Sequence, residues 1–267
     1  MSSTVDSTPL PLRQSEIQQL VAQGCTARSW NAVSVADPLL PERIVAVDFA
    51  GKVRIGSLAG DVQGQDGRSK PAGLYRAVLE NCTLGSGVRI ANVGELLSGY
   101  HIGDGATIEN VGRMQTLPGA RFGQGAPVAA VNEAGGREVP LFPELSAQFA
   151  YLLCLHRYRR ELIERLKAMA AAAAASFARD HGVVGKNAQV VGASRIVNVD
   201  VGPSAVVEGV QSLVDGVILS HSDDPTIVRN GVIAETFLVA EGAQVADLVV
   251  LTTTFVGQAC QIGKQFS

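Results

Sequence analysis

One short segment gathers several side chains that could bind a charged ligand. Asn132, Glu133 and Arg137 place a carboxamide, a carboxylate and a guanidinium around the glycine pair Gly135 and Gly136. Glycines allow backbone angles that expose amide N–H groups, and arginine can bind a phosphate or carboxylate through two hydrogen bonds. The segment is therefore a candidate ligand-binding turn for an anion. The alternative is structural: the glycines end one element, and Arg137 pairs with a nearby carboxylate.

Two histidines are candidates for a catalytic general base. His101 lies in GYHIGDG, at a corner between apolar stretches, and His221 lies in the polar segment SHSDDP. Imidazole titrates near neutrality, so it can remove a proton from a hydroxyl or an amine. Either histidine could instead be a surface or structural residue.

Several carboxylates could join a ligand site if successive repeats stack them, or could simply be solvated: Glu208, Asp215, Asp223 and Asp224.

Other kinds of chemistry find little support in the composition. The four cysteines are widely separated and the histidines are not clustered, so neither a metal site nor a disulfide framework is predicted, and no cofactor is indicated. A net charge of −3 argues against nucleic-acid binding. The polar N-terminus has no signal-peptide pattern, and the most apolar run, residues 169–177, is too short to span a bilayer. A cytoplasmic protein without membrane contact is expected.

A repeated pattern organises most of the chain. TLGSGVRIANV, HIGDGATIENV and RFGQGAPVAAV each place an apolar residue before Gly-x-Gly and a short apolar strand, and their first apolar residues lie 18 and 20 positions apart. Looser copies follow in VVGKNAQVVG, DVGPSAVVEG and FVGQACQIGKQF. Six-residue units predict a triangular coil of parallel strands, whereas antiparallel hairpins would not keep this spacing. One residue of each unit should point into a continuous core: Leu84, Ile102, Phe122, Val184, Val201, Val256 and Ile262.

A helical period replaces the repeat from Pro143 to about Asp180. An unbroken helix of that length would measure about 50 Å, and a helical hairpin is the alternative. Its apolar residues must leave water, either on the chain's own coil or on a neighbouring subunit. The predicted organisation comprises a disordered tail at 1–14, a helix and first strands at 15–58, coils at 73–141, a helical insertion at 142–181 and further coils at 182–267.

The order of these segments resembles a known family. QSEIQQLVAQGCTARSW, NCTLGSGVRIANV, HIGDGATIENV, the join NEAGGREVPLF to LSAQFAYLLCLHRYRRELIERL, and GVIAETFLVAEGAQVADLVV are similar to the DUF4954 family of uncharacterised bacterial proteins, over nearly all of residues 12–267. Members of that family generally continue with further coils that include a His-rich stretch. The hexapeptide units also resemble the left-handed parallel β-helix of bacterial transferases. The resemblance implies a mainly β fold, a left-handed parallel β-helix with a short N-terminal helix and a long inserted helical arm.

Two classes of function follow from the resemblance. The first is a transferase-like protein, related to acyl- or nucleotidyl-transferases, that binds a nucleotide-sugar or acyl-CoA as its small-molecule ligand. The second is a non-catalytic scaffold whose helical arm mediates assembly. Because β-helix transferases are typically trimers and the helix has an apolar face to cover, a homo-oligomer, a trimer or a dimer, whose interface includes the helical arm is expected.

Overall fold

The computed structural model describes residues 10–64, 67–130 and 135–263. Within these ranges the protein is mainly β, with a large and mostly parallel sheet and three α-helices. The first part of the chain contains, in order, β1 (Leu10–Pro11), α1 (Gln14–Ala22), β2 (Thr26–Ala27), β3 (Val33–Val35), β4 (Ile44–Ala50) and β5 (Val53–Ile55), with 3₁₀ turns at Trp30–Ala32 and Pro41–Arg43.

The N-terminal residues join the sheet. Strand β1 pairs antiparallel with β3, and helix α1 buries Leu20 in the main core. The helix begins after Arg13, whose backbone N–H donates to the Glu16 carboxylate at 2.7 Å. Residues 10–14 therefore belong to the fold and not to a disordered tail, while residues 1–9 lie outside the described ranges.

The next segment forms a hairpin followed by the first regular coils. It contains β6 (Asp61–Gln63), β7 (Ser69–Pro71), β8 (Gly73–Glu80), β9 (Thr83–Leu84), β10 (Arg89–Ser98), β11 (Tyr100–Ile102) and β12 (Thr107–Gln115). Strands β6 and β7 pair antiparallel with each other, whereas β8, β10 and β12 pair in parallel. Each coil thus lies directly on the previous one, as the repeat predicts.

The long strands bend in the middle at a residue with positive φ. Asn92, Asn110 and Asn198 have φ between 52° and 56°, and Asp215 has φ of 50°. Asn and Asp adopt this conformation more readily than other non-glycine residues. Their side chains also bond between coils, Asn92 to Asn110 at 2.9 Å and Asn198 to Asp215 at 2.8 Å. These bends let one strand supply two sides of a coil.

A central insertion, residues 116–181, interrupts the coils. It contains β13 (Pro127–Ala129), β14 (Glu138–Pro140), α2 (Ala147–Leu155) and α3 (Arg160–Ser176). The Ser146 hydroxyl caps α2 by accepting from the Phe149 N–H at 3.2 Å. A turn at residues 156–159 separates the two helices, so the insertion does not form one unbroken helix.

Phe122 corrects one part of the predicted repeat. Its side chain is fully buried, but in a separate cluster with Ala120 and Val217 and not in the coil core. Strand β13 pairs antiparallel with β14, so RFGQGAPVAAV is not a coil. Phe122 and Gly123 both have positive φ, and a Cβ at Gly123 would lie 2.4 Å from the Asp215 carbonyl oxygen. The glycines allow a tight turn that packs on the outer wall of the coils. The sequence of this turn resembles one unit of the repeat.

The coils resume after the insertion without a break in register. The strands are β15 (Gly182–Val184), β16 (Gln189–Val191), β17 (Arg195–Val201), β18 (Val206–Glu208), β19 (Ser212–Ile218), β20 (Ile227–Arg229), β21 (Ile233–Val239), β22 (Gln244–Ala246), β23 (Val250–Val256) and β24 (Gln261–Ile262). Ile102 of β11 pairs with Val184, and Ile108 of β12 pairs with Val190. The coil that follows the insertion thus lies directly on the coil that precedes it.

One continuous apolar core runs through the stacked coils. Of the residues predicted to point inward, five are at most 3% exposed and belong to this core: Leu84, Ile102, Val184, Val201 and Val256. Ile262 is half-buried against it. The parallel stacking is confirmed, and the left-handed sense of the coil stays a prediction.

The insertion packs against the outside of the same coils. Leu145, Leu153 and Ala170 form a buried cluster with Leu238 of β21, and Phe149, Ile163, Leu166 and Phe255 pack around it. The chain's own coil therefore covers much of the apolar helix surface. None of the helices in the described ranges is long and apolar enough to cross a membrane.

Candidate functional site

An open groove of about 590 Å³ follows one corner of the coils. Arg54, Thr83 and His101 are neighbours in the parallel register, because Thr83 pairs with both Arg54 and His101. Their side chains alternate with core residues such as Ile102 and so lie on the outer face. The other polar residues that line the groove are Ser86, Asp104 and Lys186.

The corner itself is built of glycines because successive coils approach too closely for a side chain. A Cβ at Gly85 would lie 2.7 Å from the Asp104 amide nitrogen, and a Cβ at Gly103 would lie 2.6 Å from the Lys186 amide nitrogen. The Ser86 N–H donates to the Asp104 carboxylate at 2.7 Å. These contacts fix the backbone along the groove, so its polar side chains project from a rigid surface.

A stacked histidine pair lies at the groove. The His101 and His181 rings lie 3.9 Å apart between centroids with their planes 24° apart. Partial desolvation lowers the pKa of His101, and the nearby His181, Arg179 and Arg54 lower it further. This shift favours the neutral form of His101, which is the form that accepts a proton.

Arg179 holds the end of the insertion in place. Its guanidinium forms an ion pair with the buried Asp200 carboxylate and donates from Nε to the His181 carbonyl at 2.9 Å. The same guanidinium lies over the ring of Phe122, 4.7 Å from its centroid. Asp200 also accepts from the Val183 N–H at 2.8 Å. Because these contacts fix the backbone on both sides of residue 182, they position the His181 ring on His101.

The glycine-rich turn lies elsewhere, beside the helices. Gly135 and Gly136 have φ of 88° and 90°, and the Gly136 N–H donates to the Glu138 carboxylate at 2.6 Å, which lowers the pKa of Glu138. A shallow cleft of about 270 Å³ is lined there by Arg137, Arg157, Arg160 and Lys167 with Glu138 and Glu164. Asn132 and Glu133 lie outside the described residues. Anion binding at this turn stays a prediction.

His221 lies in a local turn. Its Nδ1 accepts from the Asp223 N–H at 3.2 Å, and it forms an isolated bridge with Asp224. Among the residues described, it lines neither the groove nor the cleft. The structure therefore does not bring His101, His221 and Arg137 together. Asp215 accepts from Asn198 at a strand bend, and Glu208 lines a different cavity from the groove.

His181 stacks on the groove residue His101 from beside the groove, and the sequence does not single it out. It lies immediately before β15, the strand that pairs with β11 and places Val183 beside His101. The spacing of the repeats alone predicts that β15 returns next to β11. It does not predict that the preceding residue turns its ring onto His101, because Arg179 and Asp200 determine that orientation.

These features define a class: mainly β proteins whose parallel sheet consists of stacked coils, with a helical insertion and a polar groove on the outside. The chain belongs to the family described as "Domain of unknown function (DUF4954)", whose model matches residues 10–267. The predicted resemblance is thus confirmed. The chain is also similar to an uncharacterised protein of Treponema pallidum (strain Nichols), with 27% identity over 246 residues that cover 88% of this chain and 34% of the relative. It therefore spans about a third of that relative's length.

Proposed function

We propose that the groove binds the phosphate-bearing part of a nucleotide-linked or CoA-linked small molecule, and that His101 is the general base of a transferase-like reaction. The observation that carries this proposal is a groove lined by His101 and by two cations, Arg54 and Lys186, with His181 stacked on His101. The proposal includes a left-handed coil, as in the bacterial transferases that the hexapeptide pattern resembles.

The charges of the groove support an anionic ligand. Arg54 and Lys186 are both exposed, so their cationic groups are accessible to a phosphate in solution. The one carboxylate among the polar lining residues, Asp104, already accepts from the Ser86 N–H. Nucleotide-linked and CoA-linked donors share a diphosphate. That shared group is the chemistry the two cations would recognise.

The histidine pair would supply the proton transfer. A neutral His101 would take the proton from an acceptor hydroxyl or amine as the acceptor's oxygen or nitrogen bonds to the donor's electrophilic atom. The bond from that atom to the leaving group would break, and the imidazolium would pass its proton to the leaving group. His181 disfavours the protonated form of His101, which keeps the base free before the reaction and promotes release of the proton afterwards.

The first test measures binding by isothermal titration calorimetry with coenzyme A and uridine diphosphate. Adenosine and uridine, which lack the phosphates, are matched ligands that should not bind. Lys186→Gln and Arg54→Gln should each weaken binding of the phosphorylated ligand at least tenfold, whereas His221→Gln should not. If neither phosphorylated ligand binds, or if Arg137→Gln abolishes binding while Lys186→Gln has no effect, the proposed site is wrong.

The second test concerns the base. With a donor that binds, release of coenzyme A or nucleotide in the presence of hydroxyl and amine acceptors should fall at least 100-fold in His101→Gln, in the range of general-base contributions. Donor affinity should change little in that variant. His221→Gln is the control and should react like the wild-type chain. Equal turnover in the His101 and His221 variants would exclude His101 as the base.

A scaffold function is the second candidate, and the surface of α2 favours it. Tyr151 and Leu155 are 55% and 48% exposed, and Leu152 is 36% exposed between them. Exposed apolar groups of this kind often mark contacts between proteins. The proposed partner is a second copy of this chain, in a homo-oligomer and specifically a trimer. Light scattering of the wild-type chain and of Tyr151→Ser with Leu155→Ser tests it: a wild-type monomer would exclude assembly through α2.

A further inference from the structure

Four cationic side chains line the cleft of about 270 Å³ beside the glycine-rich turn. They come from three parts of the insertion: Arg137 precedes β14, Arg157 lies in the turn between α2 and α3, and Arg160 and Lys167 belong to α3. Arg137 is half-buried and the other three are exposed, so a ligand in the cleft could contact all four. We call this site the cationic cleft.

Packing within the insertion fixes the shape of the cationic cleft. The Cys154 thiol donates to the Arg137 carbonyl at 3.5 Å, which joins the turn to α2. Leu153 lines the cleft, is 5% exposed and belongs to the buried cluster between the insertion and the coils. The backbone on two sides of the cleft is therefore held in place before any ligand binds.

The protein leaves the charged groups of these four cations without partners. In the described ranges, none of them forms an ion pair or a hydrogen bond with another side chain or with the backbone. Arg165 shows the contrasting case, because it also lies on α3 but outside the cleft, and it pairs with Glu161 at 2.6 Å. The unpaired cations are thus the ones that line the cleft.

Two carboxylates in the cationic cleft, Glu138 and Glu164, offset only part of its charge. Glu138 accepts from the Gly136 N–H at 2.6 Å. That hydrogen bond lowers the pKa of Glu138, and the charges of Lys167 and Arg157 lower it further although neither forms an ion pair with it. By formal charge, four cations and two carboxylates leave the cleft with a net charge of +2. An excess of positive charge in one concave site attracts an anion.

We propose that the cationic cleft binds the phosphomonoester group of a small phosphorylated metabolite. A phosphomonoester carries a charge of about −1.5 to −2 at pH 7, which matches the net charge of the cleft. Its three terminal oxygens accept hydrogen bonds, and each guanidinium can donate two of them in a fixed fork. Such a compact dianion suits cations that surround one cleft from three elements.

The cationic cleft and the groove that contains His101 are separate sites. They share no lining residue, and this inference does not depend on the function proposed for the groove. The groove is proposed to bind the diphosphate of a donor, whereas the cleft binds a monoester. Because a monoester could also reach Arg54 and Lys186 in the groove, variants at both sites are tested with the same ligands.

The test is isothermal titration calorimetry of the 267-residue chain with O-phosphoserine and glycerol 3-phosphate. Serine and glycerol are the matched ligands without phosphate and should not bind. We expect at least one of the phosphorylated probes to bind the wild-type chain. Arg157→Gln and Arg160→Gln should each weaken that binding roughly tenfold or more, because each removes hydrogen bonds between charged groups. Arg157→Lys keeps the charge and loses the fork, so its affinity should be intermediate.

Arg165→Gln is the matched control, because it removes a cation of α3 that lies outside the cleft. It should leave affinity for the probes unchanged, as should Lys186→Gln in the groove. Because the charged groups of Arg157 and Arg160 have no partner in the described ranges, their Gln variants should keep the ligand-free melting temperature. A loss of binding would then not come from unfolding.

Four outcomes would overturn the proposal. The first is that neither phosphorylated probe binds the wild-type chain. The second is that Arg157→Gln and Arg160→Gln bind as tightly as wild type, and the third is that Arg165→Gln weakens binding as much as they do, which would indicate attraction by overall charge. The fourth is that Lys186→Gln abolishes binding and the cleft variants do not. That result would place the phosphate in the groove, so it would leave the function proposed there intact.

Discussion

The stacked coils and the central insertion bury their apolar residues in different ways. In the coils each core residue lies on its register partner, as Leu84, Ile102 and Val184 do in succession. In the insertion, Leu145 and Leu153 pack against Leu238 on the outer wall of the coils. The coils thus carry their own core, whereas the insertion depends on the coils for its core. The stacked histidine pair needs both regions, because His101 comes from a coil and His181 from the end of the insertion.

The largest expected effect is in the coil core. Ile102 is 3% exposed and its neighbour His101 is exposed. The same substitution at the two positions therefore tests which side chain of β11 points into the core. Ile102→Asp buries an unpaired carboxylate and should lower the free energy of unfolding by about 3–5 kcal/mol or prevent folding. His101→Asp places a carboxylate in water, with Arg54 nearby, and should cost less than about 1 kcal/mol. Urea denaturation measures both.

Equal stability of these two variants would contradict the position of the core. It would mean that the alternation of inward and outward residues along β11 is absent in solution. Ile102→Val is a further control: it keeps the side chain apolar and should cost only about 0.5–1.5 kcal/mol.

An intermediate effect is expected in the insertion. Leu153 is 5% exposed and Leu152 is 36% exposed, so they form a matched pair on α2. Leu153→Ala should cost about 2–4 kcal/mol through the cavity that it leaves, and Leu152→Ala less than about 1 kcal/mol. Because the coils pair with each other across the insertion, Leu153→Ala should remove hydrogen-exchange protection from α2 and α3 and leave it in β10 and β12.

Loss of hydrogen-exchange protection in β10 and β12 together with the helices would contradict the difference between the coils and the insertion. The coils and the insertion would then unfold as one unit, and the insertion would be part of what holds the coils together. Protection that survives in the coils would show that the insertion can open locally.

The same contrast explains what could be predicted from the sequence. The family and the parallel stacking were readable because Leu84, Ile102 and Val184 recur in one phase and each occupies the same environment. The predicted position of Phe122 in the coil core is wrong, because Gly-x-Gly after an apolar residue also suits a tight turn on the coil wall. The sequence does not predict the break between α2 and α3, because the apolar period continues through it.

The side-chain clusters could be predicted only in part. His101 was identified as a candidate base, but its partner His181 is distant in sequence and is positioned by Arg179 and Asp200. The position of the β6–β7 hairpin depends on Lys70 reaching Glu109, a contact between segments that share no repeat pattern. Contacts of this kind come from how irregular segments pack on the coils, which residue spacing does not encode.

The smallest expected effect is the pH dependence that joins the two regions. The pKa of His101 is lowered by partial desolvation and by His181, Arg179 and Arg54. The unfolded chain binds a proton at His101 near pH 6.5, whereas the folded chain binds it only at lower pH. In that interval the unfolded state holds more protons, so this contribution to stability is present above about pH 6.5 and is lost as the pH falls through the folded pKa.

His101→Gln should therefore reduce the loss of stability between pH 7.5 and pH 5, measured as the shift of the urea midpoint at each pH. Arg179→Leu should also reduce it, because it removes a positive charge near His101 and the contacts that position His181. Arg179→Leu should also lower the free energy of unfolding at both pH values, because it leaves the buried Asp200 carboxylate without its ion-pair partner. If His101→Gln kept the wild-type pH dependence, the stacked pair would be absent in solution, and the groove would lose the base on which its proposed function rests.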